Sequence, residues 1–123
     1  INCSNDLDWK FIATVKKSVE DNMDNPSFNV DVLCNLLNMS RTSFYNKIKA
    51  LTDQAPADYI RLIRLKHAAQ LLKEQKHTIT EISELTGFSD AKYFREVFKK
   101  HFNMSPSQYA KRGKEGKDDK EIK

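Results

Sequence analysis

The sequence predicts an all-α fold of seven helices, in which two tandem helix-turn-helix units are joined by a long central helix. Three observations support this prediction. The 123 residues include only three Gly and three Pro. Apolar residues recur at every third or fourth position, the spacing typical of amphipathic helices. One pattern of apolar residues and turn residues occurs twice along the chain.

The N-terminal part, residues 1–25, is predicted to hold a linker and the first helix. This helix covers about Trp9 to Met23, and its apolar stripe includes Trp9, Ile12, Val15 and Val19, with Lys16 at the same spacing. The run Asp24-Asn25-Pro26 ends it, because Pro disfavours a helical conformation in the residue before it.

The first helix-turn-helix unit is predicted over residues 26–55. Its first helix covers about Val30 to Leu37 and follows Asn29, a possible N-cap. Its second helix covers about Arg41 to Leu51 and follows Ser40, whose hydroxyl suits an N-cap. The connecting helix, residues 56–76, begins at Pro56, a residue favoured at the first helical position. Its helical part extends to about Gln75.

The second unit is predicted over residues 77–112 and contains three helices. The capping box Thr78-x-x-Glu81 opens a helix from about Ile79 to Thr86. A second helix covers about Ala91 to Phe102, and a short one covers about Pro106 to Lys111 after Ser105-Pro-x-Gln108. The tail, residues 113–123, has almost no apolar residues and is predicted to be disordered.

The internal repeat is the most specific feature of the sequence. Residues 30–40 match residues 79–89 at an offset of 49, with the apolar positions in register. After one inserted residue the match continues at an offset of 50, so that Phe44 and Ile48 correspond to Phe94 and Phe98. Pro56 and Tyr59 likewise correspond to Pro106 and Tyr109. The same supersecondary unit therefore occurs twice.

Each copy has the residue types that a tight turn between two helices requires. Asn38 and Gly87 are the types that best tolerate a left-handed backbone. The apolar residue that follows, Met39 or Phe88, is expected to fill the gap between the helices, and Ser40 or Ser89 can cap the second helix. Cys34 and Ser83 are small enough for the position where the helices cross. A helical hairpin can mimic one such pattern, but two in register strongly indicate helix-turn-helix units.

The second helix of each unit presents a polar face opposite its apolar face. Phe44, Ile48 and Leu51 share one side of the third helix, which leaves Thr42, Tyr45, Asn46 and Lys49 on the other side. In the sixth helix Phe94 and Phe98 face inward. These outward faces have the donors, acceptors and methyl groups that can recognise base edges in a DNA major groove. A polar face is also typical of any surface helix.

Composition and charge are compatible with a nucleic-acid partner without proving one. Lys and Arg total 21 against 17 for Asp and Glu, which gives a net charge of +4 and a pI near 9.0. Such a balance is also common in ordinary soluble domains. The sequence has no apolar run of about eighteen residues, so we expect no membrane contact by this part of the protein.

Residues 87–112 resemble the signature of the AraC family of bacterial transcription regulators. The sequence LLNMSRTSFYNKIKALTDQAP, residues 36–56, is similar to the form found at the C-terminus of hybrid two-component sensor regulators of gut Bacteroidetes. The resemblance covers about Trp9 to Arg112. It implies seven helices, a rigid connecting helix and two reading helices that enter adjacent major-groove segments of double-stranded DNA. It also implies regulation of transcription, with activation the expected direction.

The resemblance implies base-reading roles at nine positions. In the first unit these are Arg41, Thr42, Tyr45 and Asn46, and in the second they are Asp90, Ala91, Lys92, Arg95 and Glu96. Two departures from the family pattern stand out. Asn38 replaces the more usual Gly, and the run Tyr45-Asn46-Lys47 is uncommon, so the target sequence cannot be transferred from a relative.

A second group of residues is predicted to contact DNA phosphates, because Lys and Arg neutralise phosphate charge and hydroxyls can donate to phosphate oxygens. These residues are Ser40, Lys47, Lys49, Lys99, Lys100, Lys111 and Arg112.

A connecting helix of about twenty residues is roughly 30 Å long, comparable with the roughly 34 Å between successive major-groove segments on one face of DNA. One chain can therefore cover two groove segments, and because the two reading faces differ in sequence we expect an asymmetric site.

The expected location of the protein is the cytoplasm. Cys3 and Cys34 are too few for a disulfide framework, and residues 1–8 do not resemble a signal peptide. Since the chain begins with Ile rather than Met, we interpret it as a fragment of a longer protein, whose upstream part could be anchored in a membrane. Dimerisation is expected to depend on upstream domains, and RNA polymerase is a candidate second partner.

Other functions have less support in the sequence than DNA binding. His67, His77 and His101 lack partners at metal-ligand spacing, so we expect no metal and no cofactor. The sequence has no Gly-rich phosphate loop and no nucleophile elbow, which argues against an enzyme. The alternatives that stay open are the DNA-binding domain of a small-ligand-sensing AraC-type regulator and a helical protein-interaction module, for which Tyr45 and Tyr93 would serve as contacts.

Overall fold

A computed structural model describes residues 1–112, and the predicted disordered tail lies outside them. The described residues form seven helices and no strand, which confirms the all-α prediction. The first six are α1 (Asp6–Asp21), α2 (Val30–Leu36), α3 (Arg41–Thr52), α4 (Pro56–Glu74), α5 (Ile79–Leu85) and α6 (Ala91–Phe102). Helix α7 begins at residue 106 and continues to residue 112. None of the helices within residues 1–112 has the length and apolar character of a bilayer span.

Polar side chains begin the helices mostly where the sequence predicts them. Asn29 accepts a hydrogen bond from the backbone N–H of Val32, and Ser40 accepts one from that of Ser43. Thr78 and Glu81 form the predicted reciprocal capping box at α5. In the same way Gln108 N–H donates to Ser105 Oγ at 3.2 Å, while Ser105 N–H donates to Gln108 Oε1 at 3.0 Å. These caps satisfy backbone donors that have no partner within the helix.

Helix α6 begins differently from the prediction. The expected cap was Ser89, but the N-cap is Asp90, whose carboxylate accepts from the backbone N–H of Lys92 at 2.9 Å. The second copy has one more residue than the first between the turn and the reading helix. This insertion moves the start of α6 one residue along the chain, and Asp90 thereby takes the position that Ser40 holds at α3.

Helix α1 also departs from its predicted form. It begins at Asp6 after the N-cap Asn5 and ends at Asp21, whereas the prediction was Trp9 to Met23. Ile12, Val15 and Val19 are buried, but Trp9 is 54% exposed. At about 100° per residue, Trp9 lies roughly 90° from the centre of the buried stripe, so spacing alone overstated its burial.

The chain forms two compact units, Ile1–Arg64 and Leu65 onward, and the division falls within α4. In the first unit α2 packs against α3. Its core joins α1, α2, α3 and the first half of α4, with Phe44, Ile48 and Leu33 at most 1% exposed. The Phe11 ring packs edge-on against that of Phe44, with centroids 6.1 Å apart.

The second unit has a core rich in aromatic rings. Helix α5 packs against α6, and Phe94 and Phe98 are fully buried. The Phe98 ring lies 5.7 Å from that of Phe94, 4.4 Å from that of Phe102 and 5.4 Å from that of Tyr109. Tyr109 belongs to α7, so these contacts hold the short helix α7 against α6.

The backbone confirms the internal repeat. Asn38 and Gly87 have positive φ values of 54° and 80°, the left-handed conformation predicted for the two turns. Immediately after them, Met39 N–H donates to Cys34 O at 3.0 Å, and Phe88 N–H donates to Ser83 O at 2.9 Å. Cys34 and Ser83 are both buried at the helix crossing. The two units therefore share their turn geometry as well as their apolar pattern.

Arg64 is the largest feature of the fold that the sequence did not predict. Its side chain is buried, with 5% of the residue exposed. The guanidinium donates to the carbonyl oxygens of Met23 at 3.4 Å, Asn25 at 3.0 Å and Phe28 at 3.1 Å. Burial lowers the pKa of Arg64. Arg64 thus connects α4 to the loop between α1 and α2, a loop whose carbonyl groups would otherwise lack these donors.

Candidate nucleic-acid interface

Helix α3 separates its core residues from a polar outer face. Phe44, Ile48 and Leu51 are buried, while Thr42, Asn46 and Lys49 are exposed on the opposite side. Tyr45 lies on the flank of this face and is 47% exposed. The four base-reading residues predicted in the first unit, Arg41, Thr42, Tyr45 and Asn46, are therefore all exposed, and the structure brings them together on one helix.

Helix α6 has the same arrangement. Phe94 and Phe98 are buried, and the partly buried side chains of Val97 and Phe102 pack against the core that contains them. The predicted base-reading residues Asp90, Lys92, Arg95 and Glu96 are exposed, and Ala91 is half-buried. The carboxylate of Asp90 is already engaged as the cap of α6, which sets it apart from the other four.

The two outer faces use equivalent helix positions for different side chains. At the offset of 50, Thr42 corresponds to Lys92 and Tyr45 to Arg95, while Asn46 corresponds to Glu96. The C-terminal ends of α3 and α6 also match, with the left-handed caps Asp53 and Asn103 at φ values of 60° and 61°. Equivalent positions of the two helices thus carry chemically different side chains.

The first turns of α3 and α6 contain no acidic residue. Helices α1, α2, α4 and α5 each have an acidic residue there, whereas the short helix α7 has none either. An acidic residue in the first turn stabilises a helix through the helix dipole, and its omission leaves the positive N-terminal end available to an anion. This favours the approach of phosphate to α3 above all, because at α6 the Asp90 cap adds a negative charge.

The residues predicted to contact phosphate occupy several positions. Lys99, Lys100, Lys111 and Arg112 are exposed on α6 and α7. Lys49 is exposed near the end of α3, where its ammonium lies 3.4 Å from the carbonyl oxygen of Asp53. Ser40 is exposed, and its hydroxyl is occupied with capping α3.

Lys47 differs from the other predicted phosphate contacts. It is half-buried, and its ammonium lies over the Phe11 ring, 4.5 Å from the ring centroid. Phe11 belongs to α1, so Lys47 lies on the flank of α3 away from Tyr45. Its contact with phosphate stays a prediction, and this cation–π contact is a competing role.

Arg41 makes an ion pair that the sequence did not reveal. Its Nη1 lies 2.6 Å from Oδ1 of Asp31, in the first turn of α2. The two side chains are 70% and 61% exposed. The only available signal was the position of Asp31 on the helix preceding the reading helix, and this says nothing about a specific partner ten residues later.

The described residues were also compared with the side-chain arrangements that hold metal ions. Within residues 1–112, no group of three or more His, Cys, Asp or Glu side chains is arranged to hold a metal ion. Burial raises the pKa of the Cys34 thiol, with a further contribution from the Asp31 carboxylate. The thiol form is therefore favoured, as expected for a small apolar side chain at a helix crossing.

Comparison with known proteins places this geometry in a family. The model of a helix-turn-helix domain of the AraC type matches residues 33–112. A histidine kinase, P4, of Formosa agariphila is 46% identical over 106 residues, which are 86% of this chain but 8% of the kinase. The chain thus spans a small part of that relative's length.

Two solved structures have the same fold. The C-terminal domain of the two-component response regulator yesN of Fusobacterium nucleatum is 27% identical, with a TM-score of 0.74 over 82% of this chain and 98% of that one. The DNA-binding domain of the global transcriptional factor AdpA, solved in complex with a target DNA, is 26% identical, with a TM-score of 0.73 over 80% and 87% of the two chains. The chain therefore belongs to the AraC family, as a helix-turn-helix DNA-binding domain of a transcription regulator.

Proposed function

We propose that α3 and α6 each enter a major groove of double-stranded DNA and read base edges with the residues on their outer faces. The observation that carries this proposal is the pair of exposed polar faces at equivalent positions of two helix-turn-helix units. Each of these faces lies on the second helix of its unit, and neither helix has an acidic residue in its first turn.

The side chains on these faces have complementary base chemistry. Arg41, Lys92 and Arg95 can donate to guanine, and Asn46 can pair with adenine through two hydrogen bonds. Glu96 can accept from the amino group of cytosine, while Thr42 and Ala91 offer methyl groups to thymine. Because the faces of α3 and α6 differ, a single chain reads a directional site rather than a palindrome.

The lysines and Arg112 act on the DNA backbone in this proposal. Each phosphate that they neutralise releases counterions, so binding weakens steeply as the salt concentration rises. These contacts fix the register of the domain on the duplex and carry little base preference. The domain acts by binding, without a catalytic step, and needs no cofactor.

The wider role that we propose is the output step of a bacterial two-component system. It is supported by the sequence similarity to histidine kinase P4 and by the structural similarity to the C-terminal domain of yesN. Signal sensing and dimerisation then belong to other parts of the protein, and the domain acts on DNA in the cytoplasm. Activation is the direction that the family implies, with RNA polymerase as the second partner.

Selection of binding sites from random duplexes tests the assignment of residues. We expect Arg95→Ala and Asn46→Ala each to relax the preference at one or two base pairs, by about 1–3 kcal/mol. Lys99→Ala is expected to weaken binding to all sequences alike and to lower the slope of log K against log salt by about 1. Fluorescence anisotropy with the selected duplex at several salt concentrations measures both effects.

A matched control is Lys17→Ala. Lys17 lies on α1, where its ammonium is 3.5 Å from the carboxylate of Asp21, and its removal should leave both base preference and the salt slope almost unchanged. If Arg95→Ala and Asn46→Ala keep the base preference of the wild type, the outer faces of α3 and α6 are not the reading surfaces.

A further inference from the structure

We propose that Asp31 is a positioning residue for base recognition, and that it holds the Arg41 guanidinium in place for reading a base pair. This inference rests on the proposed function of α3. Asp31 belongs to α2, outside the predicted reading surfaces, and the ion pair with Arg41 at 2.6 Å crosses from one helix of the unit to the other.

The geometry of the pair leaves the arginine able to bind DNA. The contact with Asp31 uses Nη1, and a guanidinium has five N–H donors distributed over three nitrogen atoms. The donors on Nη2 and Nε can therefore face a base edge while Asp31 keeps its hold. A flexible arginine would have to lose its rotamer freedom on binding, and the ion pair removes part of that cost in advance.

Stability alone gives a weak reason for the pair. Both side chains are more than half exposed, and exposed ion pairs contribute little to the free energy of unfolding. A carboxylate beside a DNA-reading helix also repels phosphate, which lowers affinity for every sequence. Its presence next to Arg41 is explained if it directs the guanidinium toward one base.

The pair belongs to the first unit alone among the described residues. The positions that correspond to Asp31 and Arg41 in the second copy are Thr80 and Ala91, which cannot form an ion pair. Cys34, buried at the crossing of α2 and α3, lies close enough for both charges to act on its thiol with opposite signs. The pair thus lies near the crossing of the two helices that it connects.

The competing explanation is that Asp31 only stabilises α2 as an acidic residue in its first turn. That role predicts a lower melting temperature for Asp31→Asn and an unchanged base preference. The positioning role predicts a changed preference at the same base pair that Arg41 reads.

The test begins with the selection of binding sites from random duplexes by the wild type, Asp31→Asn, Arg41→Ala and the double variant. The affinity of each protein is then measured by titration for the selected duplex and for duplexes with one base pair changed. We expect Arg41→Ala to reduce discrimination at one base pair by about tenfold. Asp31→Asn should reduce it at the same base pair by about threefold, through lost ordering of the arginine. The double variant should match Arg41→Ala, and Asp31→Glu should restore most of the preference.

Asp58→Asn is the matched control, because Asp58 forms an equally short pair with Arg61 at 2.7 Å on α4. We expect its base preference to equal that of the wild type. The inference is overturned if Asp31→Asn changes the affinity equally for all sequences or changes the preference at a base pair other than the one that Arg41 reads. It is also overturned if the effect of Asp31→Asn adds to that of Arg41→Ala in the double variant. It also fails if Arg41→Ala leaves every preference intact. A wild type that enriches no sequence would instead refute the proposed function, so the two failures are distinguishable.

Discussion

Phe98→Ala is expected to lower the free energy of unfolding by about 3–5 kcal/mol, the range found when a fully buried aromatic side chain is truncated. Phe98 is fully buried, and its ring contacts those of Phe94, Phe102 and Tyr109. Truncation removes all three ring contacts and leaves a cavity between α6 and α7. Urea unfolding followed by far-UV circular dichroism measures the loss.

The control for this variant is Tyr93→Ala in the same helix. Tyr93 is 44% exposed, so deleting its ring should cost less than about 1 kcal/mol. Because domains of this size are stable by only about 5–15 kcal/mol, the difference between the two variants should be plain. Equal losses for both would show that the aromatic cluster around Phe98 is not the core of the second unit.

Arg64→Ala is expected to lower the free energy of unfolding by about 2–4 kcal/mol, since three carbonyl groups of the loop between α1 and α2 each lose a donor and a cavity forms. The affected oxygens are those of Met23, Asn25 and Phe28. We also expect Arg64→Lys to recover only part of the loss, because an ammonium cannot reproduce the planar arrangement of guanidinium donors. Thermal and urea unfolding of the purified chain check both variants.

Arg61→Ala is the matched control for Arg64. Arg61 precedes Arg64 by one helical turn and pairs with Asp58 in a setting where the side chains are 39% and 53% exposed. Its loss should cost less than about 1 kcal/mol. The role assigned to Arg64 is contradicted if Arg64→Ala is no more destabilising than Arg61→Ala.

The features that the sequence predicts well are those set by local chemistry and periodicity. The positive φ values of Asn38 and Gly87 follow from the residue types, and the capping box of Thr78 and Glu81 follows from spacing. The burial of Phe44 and Phe94 follows from the helical repeat, which the duplication reinforces. The predictions of the fold class and of the tandem arrangement follow from these turn residues, caps and apolar repeats.

The features that the sequence did not predict depend on contacts between distant residues or on small angular differences. Nothing in the sequence indicates that Arg64 is buried, because only folding brings the Met23 and Phe28 carbonyl groups to its guanidinium. The exposure of Trp9 depends on its angle around α1, and the pair of Arg41 with Asp31 depends on how α2 crosses α3. The base-reading roles, in contrast, are predicted by the resemblance to a family, and they stay predictions because they depend on a DNA partner.

The most direct test of the central claim is the set of duplexes that the wild-type chain selects from a random pool. We expect one enriched motif that consists of two blocks with different sequences. The motif should be directional, so that its two strands read differently and it has no palindromic symmetry. Binding to it should weaken steeply with added salt. A palindromic motif, a single block of preference or no enrichment would contradict the claim that α3 and α6 of one chain read a directional site together.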